Sequence, residues 1–71
     1  MKKLSKRESK VLSLIKDGMK NKDIAKSLGL SEKSIGTYVL RIYNKIGLSM
    51  EKNRYALVVL AIKKGLLKSK Q

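Results

Sequence analysis

Seventy-one residues carry 18 Lys and Arg against 5 Asp and Glu, a net charge of +13, with no Cys, His or Pro. A chain this short is one domain whose core supplies only about 3–5 kcal/mol, and without Cys or His neither a disulfide nor a Cys/His zinc site can staple it, which leaves oligomerisation. The charge excess calls for a polyanion, and the absence of an apolar run of about 18 residues excludes a membrane span.

Period-two runs of β-branched or aromatic residues are absent, so residues 1–71 read as a single all-α domain of four helices. Ser5 and Glu8 stand at capping-box spacing and open a helix over 5–17, whose inner stripe is Val11, Leu12, Leu14 and Ile15, with Leu4 just ahead. After Gly18, Asn21 is the expected N-cap of a second helix over 21–28, presenting Ile24, Ala25 and Leu28. A tight turn through Gly29, Leu30 and Ser31 leads into a third helix over 31–46, with Ile35, Tyr38, Val39, Ile42 and Ile46 facing the core. Gly47 ends it, and a fourth helix spans 53–64, up to Gly65. The lysine-rich ends, 1–3 and 68–71, read as frayed.

The acids decide one functional question. Glu8, Asp23 and Glu32 fall in first turns and Glu51 just ahead of the fourth helix, where they complement helix dipoles. No pair of carboxylates is left for acid–base chemistry, and no His or Cys can act as base or nucleophile, so an enzyme is not expected and no cofactor or metal is implied. The lack of Cys fits a reducing cytoplasm, and the start of the chain lacks the apolar core of a signal peptide. The expected location is cytoplasmic and nucleoid-associated.

Residues 21–45 have the layout of a helix-turn-helix that reads duplex DNA with its second member. Opposite the apolar stripe of that helix lie Gly36, Thr37, Leu40, Arg41 and Asn44, the expected base-reading face. Arg41 suits guanine O6 and N7, Thr37 and Leu40 suit thymine methyls, and Asn44 suits adenine. Gly36 costs about 1 kcal/mol relative to Ala within a helix, which points either to close approach of backbone to DNA or to a loosened first turn. Phosphates are expected at the start of the second helix, on Asn21 and Lys22, and on Lys33, Ser34 and Lys45 beside the reading face.

These residues resemble the LuxR/GerE-type helix-turn-helix family. Leu4, Ser5, Arg7, Glu8, Val11 and Leu12 look like its opening LTxRE..VL, and Gly18 with Asn21 to Ala25 like its G..NKEIA. Leu28 and Ser31 match its L..S, Ser34 and Ile35 its Thr-Val, Ile42, Lys45, Ile46 and Leu48 its I..KL.V, and Gly65 to Leu67 its closing GLL. The resemblance implies a bacterial transcription regulator whose third helix reads DNA and whose fourth dimerises, here in the stand-alone, GerE-like form or, alternatively, as a domain excised from a longer chain. Gly36 stands where the family often has Lys or Arg, Tyr38 where it often has His, and the segment 49–53 is longer than usual. The family's usual basic reader is therefore missing, and the resemblance does not carry over a target sequence.

Tyr55 to Ile62 is apolar throughout. One stripe, Leu57, Leu60 and Ala61, and another, Tyr55, Val58, Val59 and Ile62, cannot both be buried within so small a bundle. The second is read as a homodimer interface; the alternative packs one stripe under Leu66 and Leu67 within a monomer. The expected partners are double-stranded DNA, a second copy, and RNA polymerase or another regulator, with no membrane. A competing reading is a protein-binding module that sequesters another regulator through the fourth helix and binds DNA without sequence preference. Weaker readings are a sigma-like polymerase part, a membrane-active bundle and an RNA binder, the last short of stacking aromatics, with Tyr38, Tyr43 and Tyr55 alone.

Overall fold

The computed structural model describes residues 3–48 and 53–67. They form α1 (Lys6–Lys16), α2 (Asn21–Leu28), α3 (Glu32–Ile46) and α4 (Arg54–Lys63), with no strand among the described residues. The all-α, four-helix expectation holds, and the helix limits differ from it only by flanking cap residues. Of the ends expected to fray, 1–2 and 68–71 lie outside the described residues, as does 49–52 of the long connection. Lys3 is described, and its carbonyl accepts from Lys45 Nζ at 3.3 Å.

The helix starts follow local chemistry. At α1, Ser5 Oγ accepts from the Glu8 N–H at 3.1 Å while Glu8 Oε1 accepts from the Ser5 N–H at 2.9 Å, so the capping box is complete. At α3, Ser31 Oγ accepts from the Ser34 N–H at 3.1 Å. At α4, Asn53 Oδ1 accepts from Tyr55 and Ala56 N–H groups at 2.9 and 3.3 Å. The expected cap at α2 is corrected: Lys20 occupies the N-cap position without a side-chain bond, and Asn21 is the first helical residue. The Asn21 amide oxygen is not folded back onto its own helix because it accepts from Arg54.

The turn between α2 and α3 is set by Gly29, whose φ of 68° is left-handed and strained for any side chain. Its geometry lets the Leu30 N–H reach back to the Ala25 carbonyl at 2.9 Å, which satisfies the end of α2 and tucks Leu30 against the core.

α3 packs on all three other helices, α4 packs on α1 and α3, and α2 and α4 do not pack on each other. The centre is made by Leu12, Ile24, Ile35, Ile42, Leu57 and Val11, each fully buried and each contributing about 1.5–3 kcal/mol by removal from water. Leu4, Leu14 and Leu28 are only partly buried and pack around it. The expected stripe of α3 needs one revision. Tyr43 is buried, whereas Tyr38 lies half-exposed at the margin of the core. Tyr43 continues the Ile35–Val39 row at four-residue spacing, and α3 has helices on enough sides for that row to be covered.

On α4, Leu57 and Ala61 are buried and Val58 and Leu60 pack against the core, while Tyr55 is 78% exposed. Val59 and Ile62 are half-exposed and do not join the core. The inner stripe is thus Leu57 and Ala61 with Val58 and Leu60 beside them, and the outer one Tyr55, Val59 and Ile62, a division that the unbroken apolar run left open.

Candidate nucleic-acid interface

All five residues expected to read bases lie exposed on the outer side of α3. Lys33, Thr37, Leu40 and Asn44 follow one another at three- and four-residue steps, with Gly36 and Arg41 flanking them, because the opposite arc is committed to the core. Leu40 is 46% exposed, one of two large apolar side chains so open among the described residues, the other being Tyr55. The Arg41 guanidinium carbon lies 6.0 Å from the centre of the Tyr38 ring, one turn back. The Thr37 hydroxyl donates to the Lys33 carbonyl at 3.4 Å, which fixes that side chain along the helix. A Cβ added at Gly36 would meet nothing within 4 Å, so nothing in the folded chain requires a glycine there.

The five residues expected on phosphates separate into two groups. Lys22 and Lys33 are exposed cations with no hydrogen-bond or ion-pair partner among the described residues. The other three already have work inside the fold. Asn21 accepts from Arg54, and Ser34 Oγ accepts from Ser31 Oγ at 2.9 Å, leaving its own hydroxyl proton to donate outward. Lys45 Nζ sits 2.6 Å from Glu8 Oε1, so its charge is neutralised by a carboxylate that is itself buried.

Glu8 is the residue that sequence reasoning underused. Burial, the largest single influence, pushes its carboxyl up; hydrogen bonds from Lys45 and Ser5 and the Lys45 charge together outweigh it and carry the group below its ordinary value. Glu8 therefore acts as cap and as counter-ion, joining the start of α1 to the end of α3. The pairing was not legible because the two residues are 37 positions apart. Arg54 was missed for the same reason: it donates to the Met19 carbonyl at 3.4 Å and to Asn21 Oδ1.

The remaining exposed apolar surface is on α4. Tyr55, Ala56, Val59, Leu60 and Lys63 with Leu48 line an open, mostly apolar groove. None of the helices among the described residues is long and apolar enough to cross a membrane.

Comparison with known proteins agrees with this arrangement. Residues 2–61 match the family described as bacterial regulatory proteins, luxR family, a span that stops short of Gly65 to Leu67. The chain is 51% identical over 43 residues to the virulence-factor transcription regulator BvgA of Bordetella pertussis, covering 61% of this chain and 21% of that protein. It is 44% identical over 64 residues to the oxygen regulatory protein NreC of Staphylococcus aureus, covering 90% of this chain and 28% of the other. With the transcriptional regulatory protein YdfI of Bacillus subtilis it shares 39% over 64 residues, 90% of this chain and 29% of the relative. The chain thus spans less than a third of the length of these relatives. No solved structure matches. A helix-turn-helix with its second member's outer face open, and a family match over most of its length, make this chain a member of the LuxR family of bacterial regulatory proteins.

Proposed function

We propose that this protein is a cytoplasmic, sequence-specific DNA-binding transcription regulator that acts as a homodimer. α3 enters the major groove, with Arg41 on a guanine edge, Thr37 and Leu40 on thymine methyls and Asn44 further along. Lys22, Lys33 and the Ser34 hydroxyl take phosphates, joined by the N–H groups of Asn21 and Lys22 at the start of α2. Lys45 contributes there only if it leaves Glu8. The observation that carries the reading is the exposed row on α3, polar and cationic, on a helix whose other side anchors the whole core.

Dimerisation is assigned to Tyr55, Val59 and Ile62, with Val58 at the margin. An exposed tyrosine beside an apolar groove is costly for a monomer and suits a two-fold helix pair. The same face supports the second reading, a module that captures another regulator. Selection of bound duplexes from a random library at near-physiological salt separates the two. A two-fold symmetric motif is the expected product; salt-sensitive binding without enrichment would replace the regulator by the capture module.

A further inference from the structure

Arg54, the first residue of α4, reaches across to the segment that opens α2. Its Nη1 donates to the Met19 carbonyl at 3.4 Å and its Nη2 to Asn21 Oδ1, so the two acceptors straddle Lys20. Three observations give this fork more than a strut's role. First, α2 and α4 do not pack on one another and meet otherwise through α1 and α3, so the guanidinium is a direct side-chain link between the helix offered to phosphates and the helix offered to a second copy. Second, the Lys20 cap position lacks a side-chain bond; the Asp23 and Ile24 N–H groups donate to the Lys20 carbonyl at 3.0 and 2.9 Å, and Ile24 anchors the turn in the core. Third, Arg54 is itself half-buried, and its charge draws down the hydroxyl of the buried Tyr43, which burial pushes up.

We propose that Arg54 is a positioning residue for DNA binding: by gripping Met19 and Asn21 it holds the first turn of α2 where its N–H groups and Lys22 meet a phosphate, and it makes that contact depend on the seat of α4. The proposal rests on the DNA-binding reading above. A planar two-nitrogen fork is needed to span both acceptors, and an ammonium carries the charge without the span.

The test measures the affinity of the 71-residue chain for a random-sequence duplex across a salt series, with thermal unfolding of each variant followed alongside. Arg54→Lys and Arg54→Met are both expected to weaken binding by about tenfold, the value of one hydrogen bond to a charged group, with a salt slope lowered by up to about 0.9 as the Lys22 contact is lost, and in a Lys22→Ala background neither should lower the slope further. Asn21→Ala combined with Arg54→Met should bind no worse than Arg54→Met alone. Three results would each overturn the proposal. Arg54→Lys binding like the wild type would show that charge alone matters. Multiplying losses in the Asn21→Ala double variant, with a slope that Arg54→Met lowers by about a further 0.9 in the Lys22→Ala background, would place Arg54 itself on a phosphate. An affinity unchanged after correction for the folded fraction would leave Arg54 a strut. Failure of the wild type to bind any duplex would instead remove the DNA-binding reading and this proposal with it.

Discussion

On the proposed reading, Arg41 would carry most of the base specificity of this surface. It is the one guanidinium on the exposed side of α3, and its stacking on Tyr38 is worth only about 0.5–1 kcal/mol at an open site, so release onto a base costs little. Arg41→Ala should cost about 1–3 kcal/mol of binding and relax preference at a single base pair; competition between single-base operator variants measures both. Unchanged preference would move the reading face elsewhere. Gly36 offers a separate test. Because an added Cβ meets nothing, Gly36→Ala should stabilise the free protein by about 1 kcal/mol in thermal melts. A simultaneous loss of DNA affinity would show that the backbone of α3 lies against DNA, and retained affinity would leave Gly36 as a loosened turn.

At the scale of the helices, the contact between α1 and α3 through Glu8 and Lys45 governs acid behaviour. The folded Glu8 carboxyl titrates below its ordinary value, so the pair's contribution is complete above that ordinary value and is lost as pH falls through the lower, folded one. Stability should therefore decline below the ordinary glutamate range, and Glu8→Gln, which keeps the amide oxygen for the Ser5 N–H, should flatten that decline. A pH profile of unfolding identical in wild type and Glu8→Gln would show that the pair contributes nothing. Helices were legible from sequence because their signals are local: Ser5 with Glu8, Ser31, Asn53 and Gly29 each set an end through bonds within a few residues. The exposed face of α3 followed from periodicity for the same reason. What sequence hid was side-chain traffic between helices, where Asn21 and Lys45 are engaged inside the fold and Arg54 and Glu8 do the engaging. Tyr43 was missed because its burial depends on how many helices surround α3, which no single-helix pattern encodes.

For the whole molecule, a net charge of +13 on a body of about 29 × 29 × 21 Å should make the proposed DNA binding steeply salt-dependent. Two such bodies joined through α4 would set a pair of α3 helices on half-sites about 34 Å apart, one turn of the duplex. Val59→Glu, at a side chain that does not join the core, should leave the helical content intact and give a monomer by sedimentation, with weaker binding to a two-site duplex. A Val59→Glu protein that still sediments as a dimer would remove α4 from the interface. The most direct test of the central claim is to titrate the isotope-labelled chain with its selected duplex and follow the backbone amide resonances. The largest shifts are expected across Gly36 to Asn44 and at Asn21 and Lys22. Shifts confined to α4, with the outer face of α3 unmoved, would contradict that claim.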